Sequence, residues 1–189
     1  MSYIFNGSHW DLSDPGSISS LLLAHLQITA ISMVLALLIA FPIALLVARH
    51  KGLYSPVITA ASLLYTIPSL AAFVLLIQFT GLTEWTVIIP LVAYAQLVLI
   101  RNIVAAIEAV DPTLVEVGRA MGMNAWQIQR RVVLPLALPI IIAGIRITVV
   151  TTIGIATLGF LVGVEDLGTL VNEGFNNAST NQIAAGTIL

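Results

Sequence analysis

Cysteine is absent from this 189-residue chain. That excludes a disulfide framework, thiolate chemistry and any cysteine-built metal site. Charge is scarce too. Asp, Glu, Lys and Arg make up 8% of residues, whereas a water-soluble domain carries about a quarter. The net charge of −2 leaves no basic surface for a nucleic acid. His9 and His50 are too scattered to hold a metal. Residues 1–17 contain no Lys or Arg, so the basic start of a cleaved signal is missing and the first apolar run is expected to remain as a span. No Gly-x-x-x-x-Gly-Lys-Ser/Thr loop is present to cradle nucleotide phosphates.

What the chain has is apolar length. Hydrophobic residues form 59% of it, with a mean hydropathy of +1.05. Four runs, 18–48, 54–79, 86–110 and 135–162, are long enough to cross a bilayer, for which roughly 20 residues suffice. The spacing excludes the alternating segments of roughly ten residues found in a membrane barrel. The fold class is therefore an all-α integral membrane protein. Pro42 is expected to kink the first run, and Pro68 falls in the middle of the second, drawn here as one span. Residues 163–182 read as an outer loop. A fifth apolar stretch, 183–189, is too short to span, so about five spans are expected, with the last one truncated here.

Basic residues orient the spans. Arg49 and Lys51 lie between runs one and two; Arg119, Arg130 and Arg131 lie between runs three and four. The tail 1–17, the turn at Gly81 and the stretch after run four carry only acidic charge. The pattern is consistent at every connection: N-terminus outside, 111–134 in the cytoplasm. Trp10, Trp85 and Trp126 flank the spans as interfacial anchors, and His25 and Gln27 are expected at the outer interface. Ala143, Gly144, Gly154 and Ala156 would permit close helix packing. Arg101 and Arg146 lie inside spans, and must face the protein interior, a partner or water. Pairing with Glu108 or with carbonyls at a helix end is the favoured reading.

The cytoplasmic insert is the most specific feature. Asp111 before Pro112 marks a capped helix start, expected to run through Met121 and stop at Gly122. Asn124, with Gln127 three residues on, forms a second start resembling a capping box. That second helix is expected over 125–131, with Pro135 opening the next span. Two capped helices meeting at a glycine make a rigid elbow. Leu114, Val115, Gly118 and Met121 give the first helix an apolar face, while Glu116 and Arg119 are placed to grip a partner or to stay solvated.

Glu116-Val117-Gly118, then Gly122 after three residues, then Val132-Val133-Leu134-Pro135 after nine more, resembles the Glu-Ala-Ala signature of bacterial ATP-binding-cassette importer permeases. The Glu, the Gly, the Leu-Pro and both spacings match; Val117, Gly118 and Val132 depart from it by small or apolar swaps. His25-Leu26-x-x-Thr29, Tyr65-Thr66-Ile67-Pro68-Ser69-Leu70-Ala71, Leu99-Ile100-Arg101-Asn102, Ala143-Gly144-Ile145-Arg146, Gly154-Ile155-Ala156-Thr157-Leu158 and Asp166-Leu167-Gly168 resemble the osmoprotectant branch. That branch imports glycine betaine, carnitine or choline.

The resemblance implies a type I importer transmembrane domain over 18–189, preceded by the outer tail 1–17 and carrying the coupling elbow 111–134. The chain would sit in a bacterial or archaeal cytoplasmic membrane, in contact with lipid and with no nucleic acid. It implies a second permease copy or homologue, two ATPase subunits beneath and an extracytoplasmic solute-binding protein above. No cofactor is expected in this chain; ATP and Mg would belong to the partner subunit. Coupling would rest on Glu116, Val117, Gly118, Arg119, Met121 and Gly122. Tyr65, Thr66, Pro68, Ser69, Tyr94 and Asn102 are the candidates for lining the pathway, because a quaternary ammonium offers no donor and favours aromatic faces. Helix packing is the competing reading of those six.

The other functions weighed are a permease for methionine or another small solute, a channel or non-catalytic scaffold, and an intramembrane enzyme. The last has no Ser/His or His/Glu constellation at helical spacing within a span.

Overall fold

The computed structural model describes Tyr3 and residues 7–189, the side chain of Ser8 apart; the rest of the tail 1–17 lies outside the described residues. Every regular element described is helical. The principal ones are α1 (Ile18–Arg49), α2 (Tyr54–Thr66), α3 (Ser69–Thr80), α4 (Trp85–Glu108), α5 (Pro112–Ala120), α6 (Ala125–Ile128), α7 (Leu134–Ala156), α8 (Leu167–Asn176) and α9 (Thr180–Ile188). Three helical stretches are long and apolar enough to cross a membrane: Ile18–Arg49, Trp85–Glu108 and Ala125–Val162. With α2 and α3 taken as one broken or re-entrant element, there are up to 4.

The second apolar run is thus not one uninterrupted helix. Proline lacks an N–H and bars its predecessor from the helical region, and Pro68, at φ −57° and ψ 132°, separates α2 from α3. Pro42 behaves differently: α1 continues through it for 32 residues.

One compact unit comprises residues 1–34, 67–92 and 150–189. Here the expected outer loop proves to be mostly structured. Asp166 accepts from the backbone N–H of Gly168 at 2.7 Å, and its own N–H donates to Thr169 Oγ1 at 3.2 Å, a reciprocal cap that starts α8. The turn at 177–179 then reverses the chain into α9, which begins three residues before the apolar stretch expected at Ile183. The two helices approach closely because Gly174 and Gly186 present no side chain; a Cβ at Gly174 would sit 2.7 Å from Ile183. Leu167 and Leu170 of α8 pack with Ile18 and Leu21 of α1. His25, expected at the interface, is instead 2% exposed, with Nδ1 3.7 Å from Oδ2 of the fully buried Asp166. Gln27 is exposed.

The second unit comprises residues 35–66 and 93–149. Ala36, Ala40 and Ala44 form a fully buried small-residue stripe along α1, the kind of surface on which helices pack closely. Gln96 Nε2 of α4 donates to the carbonyl of Ala36 at 3.2 Å. Gly144 of α7 seats against Asn102 of α4 so tightly that a Cβ would lie 2.5 Å from the Asn102 Cβ. Glu108 pairs with Lys51 at 4.0 Å across an exposed surface, not with Arg101 or Arg146. Both of those arginines are exposed and, among the described residues, belong to no ion pair. Of the other small residues, Ala156 is buried, whereas Gly154 faces open space.

Candidate coupling elbow and pathway residues

The elbow is built as its capping residues demand. Asp111 Oδ1 accepts from the Thr113 N–H at 2.8 Å, which holds its carboxyl below the ordinary carboxylate value, and Pro112 occupies the first helical position. After α5, Gly122 takes φ +79°, a backbone conformation glycine adopts without Cβ strain. Asn124 and Gln127 then form the reciprocal cap, at 2.8 and 2.9 Å.

The second arm differs from expectation. It does not end at Arg131; α6 passes through a π-helical segment, Gln129–Val133, directly into α7. The cause is Pro135, which has no N–H to give the Arg131 carbonyl and whose ring would crowd that oxygen. Widening the helix, with Leu134 N–H reaching back to Gln129 O, accommodates both constraints. The arm is therefore the end of a 38-residue helix, Ala125–Val162, continuous with a span.

Gly118 is the buried hinge side of α5, its Cβ position 3.4 Å from Ile128 Cγ1 and 3.7 Å from Met123 Sδ. Leu114, Val117, Met121 and Trp126 are 43%, 50%, 63% and 58% exposed. Three of these large apolar residues lie on or just after α5 and the fourth, Trp126, on α6, all left in the open. Glu116 and Arg119 are exposed beside them, with no ion pair between the two. Behind α5, Arg49, Val115, Arg119, Met123, Ile128 and Gln129 line a cavity of about 500 Å³.

Of the six pathway candidates, Tyr65, Thr66, Tyr94 and Asn102 belong to the second unit and Pro68 and Ser69 to the first. Tyr65 and Tyr94 do meet, edge to face, with ring centroids 5.9 Å apart; Tyr65 is 43% exposed and Tyr94 buried. Thr66 Oγ1 donates to the Leu63 carbonyl at 2.7 Å at the end of α2. Asn102 is occupied by packing: its Nδ2 donates to Val98 O at 2.8 Å and its Cβ rests on Gly144. Pro68 is exposed and Ser69 half-buried, at the start of α3 in the other unit. The buried His25–Asp166 pair was not among the sequence candidates. Asp166 followed three residues later by Thr169 was the available signal.

Residues 32–189 match the model of a family described as the binding-protein-dependent transport system inner membrane component. This chain belongs to that family. The permease is 37% identical over 186 residues to the osmoprotectant import permease protein OsmW of Salmonella typhimurium, covering 96% of this chain and 86% of that one. It is 39% identical over 165 residues to the carnitine transport permease protein OpuCD of Listeria monocytogenes, covering 87% and 74%. Among solved structures it resembles the inward-facing MetNI methionine ABC transporter, with a TM-score of 0.77 and 25% identity over 88% of this chain and 84% of that one. The permease is a transport subunit and an inner membrane component with the type I importer fold.

Proposed function

We propose that this permease carries a small quaternary-ammonium osmoprotectant, glycine betaine, carnitine or choline, into the cell by ATP-driven alternating access. The observation that carries the reading is the 37% and 39% identity, over most of the chain, to relatives named for osmoprotectant and carnitine transport. A methionine solute is the second reading, supported by the 25% identical fold neighbour. The higher identity favours the first.

Residues 18–189 act as one permease domain paired with a second copy or homologue, with the N-terminus outside. An external binding protein delivers solute, and separate ATPase subunits hold ATP and Mg. The apolar face of Leu114, Val117, Met121 and Trp126, flanked by Glu116 and Arg119, docks in the ATPase. Because α6 is continuous with α7, displacement of the elbow tilts a span as a rigid body. Tyr65, Thr66 and Tyr94 line the route, the aromatic pair attracting the ammonium.

ATP-dependent uptake of labelled glycine betaine, carnitine, choline and methionine into vesicles holding the complete importer tests the reading. Uptake of at least one quaternary ammonium is expected; uptake of methionine alone overturns it.

A further inference from the structure

Arg146 is an exposed guanidinium on a membrane span, and its depth can be read from its neighbours. Asn102 lies five to six residues past the centre of the 24-residue α4, about 8 Å toward the cytoplasm. Gly144 seats against Asn102, and Arg146 is two residues further along the oppositely directed α7. Its Cα is therefore within about 5 Å of the bilayer midplane.

Lipid is a poor environment there, because a charged side chain at the centre of a span is strongly disfavoured. Arg101, one residue before Asn102, lies about 7 Å from the midplane, a little nearer the interface that a long side chain reaches for. Arg146 is not so placed. Nor does any carboxylate of this chain meet it. It has no ion pair among the described residues, and stretches 18–83, 85–107 and 117–164 contain no Asp or Glu. A second copy of the chain would therefore supply no mid-depth acid either. With no acid from this chain or a second copy to face it, Arg146 is left to water or to a solute passing through water.

We propose that Arg146 lines the aqueous solute route and reads the carboxylate of a zwitterionic quaternary ammonium, so that glycine betaine or carnitine is favoured over choline, which has no carboxylate. The guanidinium fork suits a carboxylate, and a fixed positive charge repels a bare cation. Tyr65 and Tyr94 supply aromatic faces for the ammonium end and Arg146 the counter-charge for the other, along one route. This rests on the osmoprotectant reading above.

Because these 189 residues hold no cysteine, label read on the separated permease band reports position 146. In the reconstituted complete importer, Arg146→Cys should react with a charged, membrane-impermeant methanethiosulfonate once the detergent-free vesicles are loaded on both sides. An inserted but unreactive Cys variant overturns the placement. Arg146→Gln should lower glycine betaine and carnitine uptake about tenfold relative to choline, and Arg146→Lys, which keeps the charge, should retain part of the preference. An unchanged ratio in both variants overturns the carboxylate role; if Arg146→Gln does not insert, the Lys variant's ratio decides. Failure of the wild-type importer to carry any of the three solutes would count against the osmoprotectant reading instead, while the labelling still places Arg146.

Discussion

His25 of α1 and Asp166 at the start of α8 meet at 3.7 Å with both side chains sealed from solvent, at 2% and 0% exposure. Asp166 has two duties: one oxygen caps α8 through Gly168, the other faces His25. Burial pushes its carboxyl above the ordinary value of 3.8, against the opposing pull of His25 and of the backbone N–H groups. The folded protein therefore holds that proton more tightly than the unfolded chain. Its stabilising effect is complete below 3.8 and is lost as pH rises through the raised folded value. Asp166→Asn keeps a capping acceptor without the charge. The thermal midpoint of the purified permease should fall less steeply across that window in Asp166→Asn than in wild type. Equal slopes would contradict the assignment.

Glycines at two contacts give opposite predictions. Gly144→Ala drives a Cβ to 2.5 Å from Asn102, and overpacking of this kind costs about 1–3 kcal/mol. Gly118→Ala places its Cβ at an ordinary 3.4 Å from Ile128 and gains helix propensity of up to about 1 kcal/mol. Denaturation midpoints should move down for the first and hold or rise for the second. The family signature carries alanine at the position of Gly118, as that spacing allows.

The caps of the elbow can be tested by hydrogen exchange. Asn124→Ala removes one acceptor from the first turn of α6, a loss of about 1 kcal/mol. Amides of 125–128 should then exchange about fivefold faster, with α4 unaffected. No change at those amides would show that tertiary contacts alone hold the turn.

For the aromatic pair, Tyr65→Phe keeps a π-face beside Tyr94 and Tyr65→Leu does not. A cation–π contact is worth about 1 kcal/mol. Concentration-dependent uptake should show apparent affinity weakened several-fold for Leu and nearly retained for Phe. Equal effects would point to helix packing as the role of this pair.

The caps of the elbow and three of the four long runs were legible in the residues because their signals are local. Asp111-Pro112, Gly122 and Asn124-x-x-Gln127 each act within a turn, and the caps formed where expected. What stayed hidden depended on partners distant in sequence. His25 reads as interfacial until Asp166 is brought beside it. Residues 163–182 read as a loop because α8 is held by its close contact with α9, at Gly174 of the one and Gly186 of the other, and by Ile18 and Leu21 of α1, none of which shows as periodicity. Pro68 was visible as a break but not its consequence, two separate helices. Pro135 reads as a helix start, whereas its missing N–H widens the preceding turn and lets α6 run on into α7.

The continuous arm Ala125–Val162 is proposed to transmit force from the ATPase to the spans. Gly122 holds φ +79° at the bend, which proline, fixed near −65°, cannot adopt. Gly122→Pro in the reconstituted complete importer should leave the permease inserted and the ATPase subunits hydrolysing ATP, while solute uptake drops to background. Uptake at the wild-type rate in that variant, measured beside hydrolysis in the same vesicles, would contradict the account.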